Sequence, residues 1–517
     1  MQTLPKLPIG IQHFDQLREE GYLYVDKTRQ IYDLVNLGKF VFLSRPRRFG
    51  KSLLVTTIKA IYQGRKELFA GLWIEDQIDW ATYPVIVLNF NDIDYLSMSL
   101  EDALAHYMDQ LASEQGVTLD ASTAKGKFLE LIQRLSTEKK VVLLIDEYDK
   151  PITDLLENEE KVEEHVKTLK NFYSVLKSSE ANHIHFTFLT GVSKYGKIAI
   201  FSDLNNLHDI TLYPRFATLL GYTQEELEAN FSGHLTRLAA TFGSERHAML
   251  ERVKYWYNGY SWDAVHHVYV PFSTLIFLEQ QRFANHWFST GTPTFLIKLL
   301  RKQGVPAYDL ERIGGDSTFV ERADVNNIDI FSLLFQTGYL TVKRTYDSII
   351  GQKYELGYPN FEVSQAFKHY LLRDYLGTSE ATLSSSLLDR LEQTLRTRNM
   401  EGFINILRSI FGGIPHTLFL SEEAYYHSVV YLALSLLGFT IYAERLTNLG
   451  RIDAVLELDN LVYIIEFKMT TSEKAISQIR NKQYALAYQN SQKEVILLGI
   501  AFDKAARNIS DWAVEDL

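Results

Sequence analysis

The chain is predicted to be an α/β protein: a doubly wound parallel sheet with a helical lid, followed by a smaller α/β sheet domain at the C-terminus. Three stretches carry that expectation. Phe40 to Leu54 reads as a short apolar strand, a tight polar loop, and a helix opened by Gly50-Lys51-Ser52. Val141 to Glu147 is an unbroken aliphatic run ending in two acids, the pattern of a strand buried on both faces of a parallel sheet. Near the C-terminus, Arg451 to Glu457 and Leu461 to Lys468 form two strand-like runs that bring acids and a lysine to one face.

Composition narrows the classes. A length of 517 residues suggests roughly three or four domains with cores large enough to need no covalent staples. With 46% hydrophobic and 23% charged residues the chain has the balance of a soluble globular protein. The absence of cysteine excludes disulfides, thiolate metal sites and a cysteine nucleophile. The N-terminus has no basic segment leading into an apolar one, and the longest apolar run, Val429 to Phe439, is too short to span a bilayer. A cytoplasmic protein without a membrane partner is expected. Because the net charge is −11, a nucleic-acid partner would have to be met by local basic patches.

In chain order, Gly21 to Thr28 leads into an amphipathic stretch ending near Leu37, read as a helix packed on the sheet edge, with an adenine-pocket lining as the competing reading. The loop comes next. A helix N-terminus presents unpaired N–H groups and a positive dipole end to phosphate. The run Arg47-Arg48-Phe49-Gly50-Lys51-Ser52 would then bind a nucleotide: Lys51 reaches the β/γ-phosphates, the Ser52 hydroxyl ligates Mg²⁺, and Arg47 and Arg48 add positive charge. Arg45 stands where such loops usually begin with glycine. At the end of the acidic strand, Asp146 would hold the Mg²⁺ water shell and Glu147 would orient and polarise the attacking water. On the strand ending at Thr190, that residue is the first choice to sense the γ-phosphate and Ser193 the second; the competing role is capping a turn. His183 and His185 share a strand face without a third ligand.

These motifs together, with Tyr24 to Thr28, Ser44 to Ser52, Ile145 to Pro151 and Thr190 to Lys194, resemble the bacterial AAA-ATPase-like family. In that family the arginine-rich loop without the first glycine is the typical form. The likeness continues through Tyr257 to Trp262 and Thr290 to Leu296, and it implies a P-loop ATPase module that takes ATP and Mg²⁺. Lys194, Lys197 and Arg215 are equal candidates for a finger residue. Modules of this type often complete their sites between subunits, so an oligomer stays open.

The middle of the chain is read as a charged helical lid from Gly221. The aromatic run Tyr255 to Trp262 around an Asn-Gly turn is read as hairpin packing rather than base stacking. A helix from Ile328 to Thr337 followed by two short strands would suit a winged-helix module.

In the C-terminal part, Glu466 and Lys468 sit two apart in an extended strand and face the same side, with Asp453 on the preceding strand able to meet them. Two carboxylates and a lysine suit metal-assisted phosphodiester hydrolysis. Asp453 and Glu466 hold Mg²⁺ or Mn²⁺, and Lys468 positions the nucleophilic water or neutralises developing charge. A surface salt-bridge ladder is the plain alternative. The pattern resembles the PD-(D/E)XK nuclease superfamily, whose restriction-endonuclease-like fold it therefore implies. By that resemblance Glu423 on the first helix is a further metal ligand and Gln478 aids metal or backbone contacts. Lys482 stands where exonuclease-like branches carry a tyrosine, with Tyr484 two residues beyond.

The expected organisation is 1–220 for the P-loop domain, 221–315 for the lid, 316–379 for the winged-helix-like module and 380–517 for the nuclease-like domain. The function read from it is an ATP-driven or ATP-gated, Mg²⁺-dependent nuclease acting on nucleic acid, DNA ahead of RNA. The rivals are a nucleotide-regulated binding module that does not cut, and an ATPase regulator with a C-terminal dimerisation unit.

Overall fold

The computed structural model describes residues 4–194, 196–202, 204, 206–290, 294–316, 329–349, 351–377, 385–415, 423–488 and 491–517. Ile328, Glu422 and Gly291 to Pro293, which entered the sequence reading, lie outside them. The chain divides into two compact units, Met1–Thr290 with Ile313–Glu362, and Gly291–Arg312 with Val363–Leu517.

The first unit is built on five strands: β1 (Phe40–Ser44), β2 (Val85–Asn89), β3 (Val141–Asp146), β4 (Ile184–Gly191) and β5 (Leu207–Asp209). They pair in parallel in the order β2-β3-β4-β1-β5. Every residue of β1 and of β3 is buried, which explains their continuous apolar runs: helices cover both faces, so neither face alternates with polar residues. One such layer is made by the helices Leu100–Glu114, Ala124–Leu135 and Glu159–Ser179, started by side-chain caps from Ser99, Thr123 and Asn158. Phe128 stacks on Phe172 between two of them. The strand order has a functional consequence. It inserts β4 between the loop strand and the acidic strand, with Leu43 opposite Thr190 and Ser44 opposite Gly191.

Gly191 shows how tightly these strand ends are packed. A Cβ there would lie 2.3 Å from Asp149 Oδ1 and 2.8 Å from the Tyr148 ring. Both neighbours are buried and held, so Gly191→Ala is expected to cost about 1–3 kcal/mol, the usual penalty of overpacking. Urea unfolding reads it; an unchanged midpoint would show that the Asp149 carboxylate is free to move.

The helices Gln224–Asn230, Ser232–Thr241, Arg246–Tyr257 and Pro271–Gln280 follow, packed around Leu227, Leu235, Val253 and Phe277. Within them β6 (Asn258–Tyr260) and β7 (Val268–Tyr269) form a short antiparallel hairpin. Tyr257, Tyr260 and Trp262 of the aromatic run are buried, as hairpin packing requires, whereas Tyr255 is exposed. The helix Ile330–Thr337 and the strands β8 (Ile313–Asp316), β9 (Thr341–Ser348) and β10 (Gly351–Gly357) complete the unit, with sheet order β8-β10-β9. Gly338 ends that helix at φ +92°, where an added Cβ would stand 2.6 Å from Pro46 of the loop after β1.

The second unit carries an independent sheet of β11 (Thr440–Leu446), β12 (Arg451–Glu457), β13 (Leu461–Lys468), β14 (Glu494–Asp503) and β15 (Asn508–Asp516), paired in that order. Only β13 and β14 are parallel, and the helix Ser472–Asn481 makes the crossover between them. The helix Glu423–Ser435 precedes the sheet and is buried almost all round, which accounts for its lack of an amphipathic pattern. Val363 to Gly377, placed by sequence with the winged-helix-like module, group with this unit. Among the described residues no helix is long and apolar enough to cross a membrane.

Candidate functional sites

The first candidate site lies at the C-terminal ends of β1, β3 and β4. Gly50 caps the helix Lys51–Tyr62 with φ +94°, a conformation open to glycine, and no side chain caps the helix. Its first N–H groups therefore take no side-chain cap and are open to an anion. Arg48 is also left-handed, at φ 72°, and its guanidinium lies 4.0 Å over the Phe272 ring. Arg47 is exposed. Phe49 is buried edge-on against Tyr260 and Trp262. Lys51 Nζ donates to Arg45 O (3.0 Å) and Pro46 O (3.1 Å), so its ammonium sits inside the curl of the loop.

Arg45 turns inward. Its Nη1 donates to Ser44 O and Thr211 O, its Nη2 donates to Phe216 O, and its guanidinium lies 3.8 Å over Trp262. Burial pulls its pKa down to about 9. The residue in the usual glycine position therefore ties the loop to the segment after β5.

Ser52 Oγ donates to Asp146 Oδ2 at 2.6 Å, joining the helix start to the end of β3. Burial raises the Asp146 carboxyl. Asp146 Oδ1 and Thr190 Oγ1 are buried without a hydrogen-bond partner. Such orphans cost about 1–3 kcal/mol each unless something else meets them, and a hydrated cation beside phosphate oxygens would. Glu147 follows with φ 54°, a strained conformation of the kind that collects at working sites. Ser193 Oγ is committed to Asp149 Oδ2 (2.8 Å), so of the two sensor choices Thr190 presents the open hydroxyl. Asp149 also accepts from the N–H groups of Val192 and Ser193 and so holds the loop after β4. Of the three finger candidates, Lys194 and Lys197 pair with Asp209, and Arg215 pairs with Asp33.

A narrow apolar cavity of about 80 Å³ opens beside Gly50 and Leu53, lined by Tyr24, Val25, Ile31 and Tyr222 among others. The stretch from Gly21 thus both packs and lines a pocket.

Sequence reasoning missed two residues behind this loop. Gln336 Oε1 accepts from Lys194 N at 2.7 Å. Glu362 is fully buried, and its Oε1 accepts from Ser273 Oγ, His286 N and Trp287 N, while Trp287 Nε1 donates to Arg47 O. Both are long-range contacts without a local motif. Burial raises the Glu362 carboxyl from an ordinary 4.5 to about 7. The folded chain then keeps a proton that the unfolded chain has already released. The stabilisation is complete below about pH 4.5 and lost as pH rises to about 7, roughly 3 kcal/mol in all. Glu362→Gln is expected to remove this slope, read as urea midpoints of both proteins from about pH 5 to about pH 8. Parallel profiles would exclude the buried proton.

The second candidate site is in the C-terminal sheet. Ala443 faces Ala454 and Arg445 faces Ile452, which sets Glu444 level with Asp453; Ala454 faces Ile465, which sets Asp453 level with Glu466. Three acids thus form one row across β11, β12 and β13. Asp453 Oδ2 accepts from Phe467 N (2.8 Å), and Asp453 N donates to Glu466 Oε1 (3.3 Å). Glu466 is fully buried, and its Oε2 accepts from Lys468 Nζ (3.2 Å) and Gln478 Nε2 (2.8 Å). Burial, then the Asp453 charge, holds Glu466 well above the usual carboxylate range. The structure therefore gathers Asp453, Glu466, Lys468 and Gln478.

Glu423 is not among the ligand atoms that the fold brings within 4.8 Å of one another, although its charge acts on Glu444. Glu423 is exposed at the start of its helix. One turn further on, His427 is buried: its Nε2 lies 3.1 Å from Asp453 O and its Nδ1 3.4 Å from Glu444 Oε1. Ligand atoms of His427, Glu444 and Asp453 all fall within 4.8 Å of one another, a set able to hold a metal ion. Burial pulls His427 down to about 4 and pushes Glu444 up to about 7. The helical spacing from Glu423 to His427 was the available signal. Tyr484 is buried and donates to Arg451 O (2.8 Å), a bond that steadies the start of β12.

Comparison with known proteins finds two family models along the chain. Residues 8–201 match a family model described as AAA-ATPase-like, a predicted AAA-ATPase. Residues 421–512 match a model of the PD-(D/E)XK nuclease superfamily. The chain is 35% identical over 525 residues to "Uncharacterized protein in vnfD 5'region" of Azotobacter chroococcum mcd 1, covering 99% of each chain. No solved structure matches it.

Proposed function

Because the chain belongs to the AAA-ATPase-like family and ends in a PD-(D/E)XK nuclease superfamily domain, we propose that it is an ATP-driven or ATP-gated nuclease acting on nucleic acid in the cytoplasm, DNA ahead of RNA. The observation that carries the reading is Glu466, fully buried in a row of acids and met by Lys468 and Gln478. Buried acids of like charge in one row are costly unless a cation joins them. Asp453 and Glu466 are the residues that would hold Mg²⁺ or Mn²⁺, which when bound supplies Lewis acidity and a more acidic water. Lys468 is placed to orient a water or offset charge developing on phosphate.

In the first unit, Lys51, Ser52 and Asp146 would hold the phosphates and Mg²⁺ of ATP, with Arg47 and Arg48 at the loop. Glu147 would orient the attacking water, and Thr190 would contact the terminal phosphate. The apolar side chains beside Gly50 would line the base. One observation favours a module that binds without cutting: both Glu466 oxygens already accept hydrogen bonds inside the protein. Incubating plasmid, linear and single-stranded DNA and RNA with Mg²⁺ or Mn²⁺, with and without ATP, separates the two. Binding without product under every metal would remove the nuclease reading.

A further inference from the structure

We infer that Glu362 and Trp287 are positioning residues of the phosphate loop, and that through them a bound nucleotide stiffens two points at which the chain leaves the first unit. Both roles rest on the reading of that loop as an ATP site.

One oxygen ties three segments together. Glu362 is fully buried, and its Oε1 accepts from Ser273 Oγ at 3.1 Å, His286 N at 2.6 Å and Trp287 N at 2.8 Å. Two of these donors are consecutive backbone N–H groups, so the carboxylate fixes the main chain from which the indole projects. A buried donor left unpaired is expensive, which holds the arrangement in place. The other oxygen, Oε2, is buried and meets no donor. A half-satisfied acid is a poor choice for packing alone.

Two tethers run from this oxygen to the loop. Trp287 Nε1 donates to Arg47 O at 3.4 Å. Ser273 follows Phe272, whose ring lies 4.0 Å under the Arg48 guanidinium. Gly338 admits the first tether, since an added Cβ there would meet Pro46 at 2.6 Å and the Trp287 ring at 3.2 Å. The indole bond is at the long end for N–H···O, so ordering of the loop tightens it. Lys51 Nζ rests on the carbonyls of Arg45 and Pro46, the two that precede this acceptor. Phosphate oxygens entering the curl would recruit that ammonium and so act on the same stretch of backbone.

The other end of the clamp lies where the chain departs. One segment of the first unit ends at Thr290, just after Trp287, and another ends at Glu362 itself. Glu362 lies in the first turn of the helix Phe361–Leu376, whose residues from Val363 on belong to the second unit. A fixed backbone and a helix are physical means by which occupancy of one place is felt at another.

The test uses the full-length chain with the β,γ-methylene analogue of ATP and Mg²⁺. Calorimetry gives the dissociation constant, and hydrogen–deuterium exchange follows the peptide that spans His286 and Trp287. The wild type is expected to bind the analogue and to slow exchange of that peptide. Trp287→Phe keeps a ring but loses the N–H. It should bind about tenfold more weakly, the contribution of one hydrogen bond, and show no slowing at saturation. Glu362→Ala should behave the same way, whereas Glu362→Gln keeps the accepting oxygen and should stay within about threefold of wild type. Unchanged binding in Trp287→Phe, or slowing that survives it, overturns the proposal. So does a wild type that binds the analogue without slowing exchange. If Glu362→Ala fails to fold, Trp287→Phe and Glu362→Gln decide. A wild type that does not bind the analogue removes the ATP reading and the proposal with it, a result distinct from binding that ignores Trp287.

Discussion

Lys51→Ala is expected to abolish nucleotide hydrolysis, with a loss of at least about 100-fold in kcat/KM. Lys51 is the first residue of the helix that follows the loop, and its side chain is buried. Burial lowers its pKa, while Glu147 and Asp146 act to keep it charged. The ammonium now rests on the Arg45 and Pro46 carbonyls, at the place where the curl of the loop would receive phosphate oxygens. Alanine removes the buried cation and leaves both carbonyls without that donor. Phosphate release measures the loss, with a melting curve to confirm the fold. Undiminished hydrolysis would show that the loop does not cradle the reacting phosphates.

Asp453→Asn is expected to abolish metal-dependent cleavage, by roughly 10³-fold for a metal ligand worth about 4 kcal/mol in the transition state, and to leave nucleotide hydrolysis unchanged. Asparagine keeps the shape, and its amide oxygen can still accept from Phe467 N, so the variant isolates charge from structure. Asp453 stands in the middle of the acid row, and its removal weakens every cation arrangement the row allows. Cleavage products from supercoiled and linear DNA measure the effect. If Asp453→Asn or Lys51→Ala lost both activities with folding preserved, the two sites would not be separable. If Asp453→Asn still cut at full rate, cleavage would belong to a contaminant or to other residues.

Much of this arrangement was legible along the chain because its signals are local. A strand buried on both faces must be apolar throughout, and β1 and β3 announced themselves that way. Gly50-Lys51-Ser52 marked a helix start because its geometry spans only a few residues. Glu466 and Lys468 shared a face because the strand period is two, and the Ser52–Asp146 meeting followed from the edge where parallel strands end.

What only the tertiary structure decided depends on partners distant in sequence. Arg45 looked like a missing glycine until the fold brought Thr211, Phe216 and Trp262 around it. Glu362 and Gln336 carry no motif; their roles come from backbone N–H groups on His286, Trp287 and Lys194. That the Ser193 hydroxyl is taken by Asp149 while the Thr190 hydroxyl is left open could be seen only in the fold. At the C-terminal site, periodicity put Asp453 and Glu466 on adjacent strands, but register placed Glu444 in the same row, and helix packing buried His427 beside it, one turn from the exposed Glu423. Sequence determines which residues share a face within one element, since that follows from bond geometry. Which faces meet is decided by packing between elements, and the ligand set of a site is written there.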